Sequence, residues 1–171
     1  SNNEEIVNYF KGINAKVEQV KKILNETLQL SNPNKINLEE VELHSILNKI
    51  KNDIDKDCEV QGISLKIDQN NQNLKFRVDE DLFIQAMLNI IENAIYVLQE
   101  YEGNKEIVVK SWVSGQEIFF SIHNTGPEIT QSIQNTIFDV FTSTKGKNGT
   151  GLGLAITHYI ITKVHQGGIW F

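Results

Sequence analysis

From Asp79 to Gln99 the chain carries one long helical pattern, and segments that alternate apolar and polar residues stand on both sides of it. Ile84, Leu88, Ile91, Ile95 and Leu98 recur at three- and four-residue steps, which lines them up on one helix face. Asp79 can cap the first turn, and Glu80 and Asp81 suit the positive end of the helix dipole. A lone helix cannot bury such a stripe. Residues 63–67 and 74–78 before it, and 105–113 and 117–122 after it, alternate as half-buried strands do. The last two join through Ser114-Gly115, a hairpin signal. Strands in runs beside helices predict an α+β fold, a two-layer α/β sandwich with a mixed sheet and helices on one face.

The remaining elements follow from local punctuation. Asn37, with Glu40 three residues on, has the spacing of a capping box, and Leu38, Val41, Leu43, Ile46, Leu47 and Ile50 give the helix it would start an apolar face. Past the hairpin the pattern predicts a short helix over 130–138, a polar loop over 142–149, and a helix over 152–164. Gly167-Gly168 then leads to a last strand, 169–171. The alternation stops inside that strand, so a piece of a longer protein is expected. Near the other end, Ile6, Phe10, Ile13, Val17, Val20 and Leu24 step by four and three in turn, with Lys11, Lys16, Glu18, Lys21 and Glu26 off the seam. This is the 3.5-residue repeat of a coiled coil. An amphipathic helix packed on its own domain would look similar, but the regular heptad predicts a long N-terminal helix that pairs with another chain, a homodimer. Asn32-Pro33-Asn34 ends that helix, because proline and its predecessor both resist the helical conformation. Two units are expected, residues 1–32 and residues 33–171.

Composition narrows the classes. The net charge is −6 and no Lys/Arg cluster stands out, which argues against a nucleic-acid partner. One cysteine, Cys58, permits no intrachain disulfide and fits a reducing compartment. No apolar run reads as a membrane span, and residues 1–5 do not read as a signal peptide. A cytoplasmic location is expected, and any membrane segment of a parent protein would lie outside this chain.

Three clusters can carry chemistry. Asn89, Glu92, Asn93 and Tyr96 share a second face of the long helix. Two asparagines one turn apart can aim amide oxygens at one Mg²⁺ ion, although a solvated polar face would look the same. Asn124-Thr125-Gly126-Pro127 follows a strand, where a turn can bring bare backbone against a planar ligand or simply reverse the chain. Gly149-Thr150-Gly151-Leu152-Gly153-Leu154 opens a helix, so its backbone N–H groups can face an anion. It is not a P-loop, since no Gly-Lys-Ser/Thr follows. Upstream, Phe138 and Phe141 would pin the base of the polar loop, and Lys145 could meet phosphate as a point charge.

In this order the elements resemble the catalytic domain of sensor histidine kinases, within the Bergerat-fold ATP-binding superfamily. Asn89-Ile90-Ile91-Glu92-Asn93-Ala94 is similar to the asparagine box, and Asn124-Thr125-Gly126-Pro127-Glu128-Ile129 to the first glycine box. Residues 137–145 look like the phenylalanine box and 149–154 like the second glycine box. Residues 6–31 look like the second helix of the kinase dimerisation hairpin, so the likeness covers essentially the whole chain.

The resemblance implies ATP and Mg²⁺ as ligands. Asn93 and Asn89 would hold the metal. Asn124, Gly126 and Ile129 would meet the base. Thr144, Lys145, Gly149, Thr150, Gly151, Leu152 and Gly153 would close over the triphosphate. Glu92 would polarise the nucleophile. The implied reaction moves the γ-phosphoryl group to a histidine on a hairpin helix of the parent protein, and a response regulator then takes it. None of His44, His123, His158 and His165 precedes an acid, so the acceptor is expected outside this chain, and each of the four reads as an ordinary surface or core histidine. Three positions depart from the family pattern: Asn124 replaces an acid, Glu128 a glycine and Tyr96 a basic residue. Two rivals remain. An ATP-hydrolysing relative would carry a glutamate four residues before the metal asparagine, where this chain has Asn89. A non-catalytic nucleotide-binding dimerisation module would tolerate Asn124.

Overall fold

The computed structural model describes residues 36–68, 74–143 and 149–171, together with Val7 and Val17. The heptad seam, the homodimer contact read from it, and the proline boundary therefore lie outside the described residues, apart from Val17. Thr144 and Lys145 lie outside them too.

Strand β1 (Glu39–Glu42) pairs antiparallel with β3 (Lys75–Val78), Glu39 opposite Val78. Helix α1 (Leu43–Val60) leads from β1 to β2 (Ser64–Ile67). Helix α2 (Glu80–Gln99) follows β3 and leads to the hairpin of β4 (Glu106–Ser114) and β5 (Glu117–Asn124). β4 sits centrally in a three-stranded ladder, parallel to β2 and antiparallel to β5, so the sheet is mixed as the pattern required. Gly115, at φ +63°, makes the hairpin turn with Gln116.

One face of the sheet is covered. Ile107 and Val109 of β4 are buried with Leu43, Ile46, Leu47 and Ile50 of α1 and Phe83, Met87, Ile91 and Leu98 of α2. On the other face Trp112 is 43% exposed and stacks on Phe119 across the hairpin, 5.4 Å between centroids. Helix α2 by length and composition would also suit a membrane, but here it lies between two packed layers. Its opposite side, at Ala86, meets Leu152, Ile156 and Ile160. Cys58 belongs to the main core, and burial pushes its thiol up, away from reactivity.

Several expectations need correction. Residues 39–42 form a strand, and the helix expected from Asn37 starts at Leu43. Asn37 caps nothing; its N–H donates instead to Asp79 Oδ2 at 2.8 Å. Pairing with β3 satisfies the backbone of 39–42, and tertiary context overrides the local signal. The helix expected over 130–138 shrinks to α3 (Gln131–Gln134) followed by turns. Residues 169–171 form no strand. The last helix is present as α4 (Gly153–Tyr159), and it widens into a π turn over Ile160–Val164. The core stripe of α2 is also broader than read: Phe83, Met87 and Ala94 are buried, whereas Ile84 and Leu88 are half-buried at its margin.

Candidate nucleotide-binding site

Helix α2 forms because Asp79 caps it: its Oδ1 accepts from Leu82 N–H at 3.2 Å, and Glu80 and Asp81 occupy the first turn. That start fixes which residues face the sheet, and so which do not. Asn89, Asn93 and Val97 fall at four-residue steps on one stripe. At one end Asn89 donates from Nδ2 to Gly153 O at 3.1 Å and to Thr157 Oγ1 at 3.4 Å, so it lies against the start of α4. At the other end Val97 lies against Gly126. A β-carbon added at Gly126 would stand 3.0 Å from Val97 Cγ1, 3.3 Å from Leu98 Cδ2 and 2.9 Å from Asn124 Nδ2. A side chain there would have to push these neighbours aside, so the glycine suits the close approach.

The offset from Asn89 to Val97 is 97 − 89 = 8 residues, about 12 Å along a helix axis. The strand-end turn at Asn124–Gly126 meets one end of the asparagine stripe, and the glycine-rich entry to α4 meets the other. Asn124 stands opposite Ile107 at the last step of the β4–β5 ladder, half-buried. Thr125 locks the turn: its Oγ1 accepts from Glu106 N–H at 2.9 Å and donates to Asn104 O.

The entry to α4 is built on Gly151, at φ +67°. A β-carbon there would fall 2.4 Å from the carbonyl carbon of Phe141, a contact with backbone that no rotamer relieves. Phe141 N–H donates to Gly151 O at 2.8 Å, so the two ends of the segment between them are pinched together. Thr150 Oγ1 accepts from Leu152 N–H at 3.2 Å, and Leu152 is buried beside Ala86. The phenylalanines were expected to pin the base of this loop. The ring of Phe138 is half-buried, 5.2 Å from that of His158. Phe141 is 75% exposed and takes φ +65°, so its contribution comes from backbone.

Asn89 thus meets Gly153, Asn124 and Gly126 lie beside Val97, and Asn93 falls between the two ends of the stripe. Glu92 neighbours Asn93 on the exposed side of α2. Ile129 is 40% exposed in the segment after β5, where its carbonyl accepts from Gln134 Nε2, and no described contact brings it to α2. Sequence reading missed Thr157, which is fully buried, and Val97. The signal for Val97 was present, four residues past Asn93.

Amide oxygens are hard, neutral donors, and a Mg²⁺ ion that keeps waters and phosphate oxygens accepts one or two of them. Asn93 is half-buried, and no hydrogen bond within the described residues engages its carboxamide. The donor set fits a metal held jointly with phosphates. Among the described residues no group of three His, Cys, Asp or Glu side chains could hold a metal by itself.

Residues 78–171 match the family described as histidine kinase-, DNA gyrase B- and HSP90-like ATPases. The chain belongs to that family, and ATP is the ligand the family implies. Among curated relatives, the sensor histidine kinase ZraS of Escherichia coli (strain K12) is 28% identical over 152 residues, 89% of this chain and 32% of its own length. The chain therefore spans about a third of that relative. Among solved structures, the catalytic domain of the histidine kinase ThkA is 27% identical with a TM-score of 0.71, over 79% of this chain and 86% of that one. ThkA in complex with its response regulator TrrA shares the fold at a TM-score of 0.76 and 24% identity, over 94% of this chain and 45% of that one.

Proposed function

We propose that this chain is the ATP-binding catalytic part of a two-component sensor histidine kinase, which moves the γ-phosphoryl group of ATP to a histidine outside this chain. The observation that carries the reading is the asparagine stripe, Asn89–Asn93–Val97, which runs from the glycine-rich entry of α4 to the tight Gly126 turn. It supplies a base end and a phosphate end. Asn93, with Asn89, is positioned for Mg²⁺, which when bound would neutralise charge on the phosphates. Asn124 and Gly126 take the base. The backbone of Gly149, Gly151 and Gly153, with Thr150, faces the triphosphate, and Thr144 and Lys145 complete the cover.

Phosphoryl transfer asks the protein chiefly for alignment and charge stabilisation. The nucleophile is a histidine nitrogen on a docked hairpin helix, and in this reading Glu92, next to Asn93 in sequence, polarises it. Residues 1–32 supply the second hairpin helix and the homodimer contact. The histidine receives the phosphoryl group, and a response regulator takes it in turn, as the complex of ThkA with TrrA suggests by analogy. The domain is cytoplasmic, whether or not its parent is anchored in a membrane. Asn89 in place of a glutamate disfavours simple ATP hydrolysis, because the stripe then offers a water no general base there.

The test is to incubate the chain with γ-labelled ATP, alone and with the histidine-bearing hairpin of its parent. Label on the hairpin and none on the isolated chain is expected. Proven ATP binding without transfer to the hairpin would favour a non-catalytic nucleotide-binding module, and steady release of inorganic phosphate would favour an ATPase.

A further inference from the structure

We propose that Thr157 is a positioning residue, which holds the carboxamide of Asn89 with its oxygen turned toward the triphosphate and its metal. The inference rests on the nucleotide reading above and adds to it the group that makes Asn89 a usable ligand.

Thr157 is fully buried, one helical turn past Gly153, and its hydroxyl sits at a junction of three polar groups. It lies 2.9 Å from Gly153 O, 3.4 Å from Ala86 O and 3.4 Å from Asn89 Nδ2. A hydroxyl has one hydrogen. Both carbonyls can only accept, so that hydrogen goes to one of them, the nearer being Gly153 O. The oxygen lone pairs are then left for Asn89, and only the NH₂ side of its amide can donate to them.

Gly153 O makes the same demand. It lies 3.1 Å from Asn89 Nδ2 and, being a carbonyl, repels an amide oxygen. The two acceptors on α4 therefore fix which end of the amide is which, a choice ordinarily ambiguous for asparagine. A flipped amide would set its oxygen against Gly153 O, and could keep Thr157 only by drawing the hydroxyl hydrogen away from that carbonyl. In the fixed orientation the NH₂ group faces both acceptors on α4. Oδ1 stands 3.7 Å from the place a β-carbon of residue 153 would occupy, and the glycine leaves that side of the oxygen uncovered.

A threonine bonding back to the carbonyl four residues earlier is common in helices and needs no function. What sets Thr157 apart is that its hydroxyl also reaches across to α2 and to the carboxamide of Asn89. Valine at 157 keeps the shape and removes the acceptor. Gly153 O alone then restrains the amide, which loses one of its two anchors and turns its oxygen away more readily.

The experiment measures nucleotide affinity of the full chain with and without Mg²⁺, using a non-hydrolysable ATP analogue. Thr157→Val should cut the Mg²⁺-dependent tightening by about three- to tenfold, the range for one buried hydrogen bond. Affinity without Mg²⁺ should stay within about twofold. Thr157→Ser should restore the metal response, and Thr157→Val added to Asn89→Ala should cause no further loss. A purely structural role would lower both affinities together. Independently of folding defects, the side-chain amide protons of Asn89 in the wild type should exchange slowly, and exchange as fast as an exposed asparagine would overturn the proposal. A full metal response in Thr157→Val would overturn it while leaving the nucleotide reading intact. A wild type that binds no nucleotide overturns both.

Discussion

The backbone N–H of Asp79 donates to Nε2 of His165 at 3.0 Å, tying the cap of α2 to the end of the π turn that closes α4. The imidazole is pinned from both sides, since Nδ1 lies 3.0 Å from Ile160 O, and its ring meets Phe83 edge-on. A carbonyl can only accept, so Nδ1 carries the proton and Nε2 is the bare acceptor. Asp79 is a node in its own right: Oδ1 holds Leu82 N–H and Oδ2 holds Asn37 N–H, which anchors the chain entering β1.

This geometry predicts acid sensitivity. Burial pushes the His165 pKa below its usual 6.5, against the opposing pull of the Ile160 carbonyl and Asp79. The unfolded chain thus takes up the proton first. The stability contribution is complete above pH 6.5 and is lost as pH falls through the lowered folded value, at no more than about 1.4 kcal/mol per pH unit. Urea midpoints between pH 8 and 5 should fall more steeply for the wild type than for His165→Gln, which keeps an acceptor and cannot titrate. Parallel curves would rule this out.

Gly151 and Gly153 stand two residues apart and should respond oppositely to alanine. Gly151 takes φ +67°, and a β-carbon there meets the backbone of Phe141 at 2.4 Å. The left-handed conformation alone costs a side chain about 1–2 kcal/mol, and relieving the contact requires moving the Phe141–Gly151 pinch. At Gly153 a β-carbon meets Asn89 Cγ at 3.6 Å, an ordinary contact. Chemical denaturation should show a loss of about 2 kcal/mol or more for Gly151→Ala and under about 0.5 kcal/mol for Gly153→Ala. Equal losses would mean that the pinch is not what the glycine is for.

How far the sequence revealed this protein differs by element. Helix α2 was legible because cap, dipole acids and period agree, and Asp79 caps it as expected. The hairpin was legible from its alternation and Gly115. Of the boxes, the described residues bring Asn89 to Gly153 and Gly126 to Val97. What failed was local signal contradicted by partners distant in sequence. Residues 37–42 carry a good capping box, yet β3 takes residues 39–42 as a strand and Asp79 takes the N–H of Asn37. Thr157 was illegible because its importance lies in a contact with a residue 68 positions away. Phe141 misled in a further way, since its ring is exposed and its backbone does the pinching.

The asparagine stripe makes a separable prediction at Asn93. Its carboxamide is engaged by no described hydrogen bond, so removing it leaves no orphaned partner in the fold. Asn93→Ala should keep its unfolding midpoint close to that of the wild type. In titration calorimetry with a non-hydrolysable ATP analogue it should lose most of the affinity that Mg²⁺ adds. Undiminished Mg²⁺-dependent binding in this variant would remove Asn93 from the metal site.

The last prediction concerns the base. Asn124 ends β5 with its amide beside Gly126, where Val97 and Leu98 press the turn close to α2. An amide oxygen there can accept from the exocyclic amine of adenine, but as a neutral group. A carboxylate of the same shape would accept with charge, and charge-assisted hydrogen bonds are roughly twice as strong as neutral ones. Asn124→Asp should therefore tighten ATP binding by about 1 kcal/mol, close to a fivefold fall in Kd. The gain should appear with and without Mg²⁺, because the base end lies about 12 Å along α2 from the asparagine that meets α4. A purine nucleotide lacking the exocyclic amine should not gain, since the carboxylate has nothing there to accept. Calorimetric titration of both proteins with ATP and with the amine-free analogue separates the cases. An unchanged or weaker affinity for ATP in Asn124→Asp would mean that the base is read by some other part of the site.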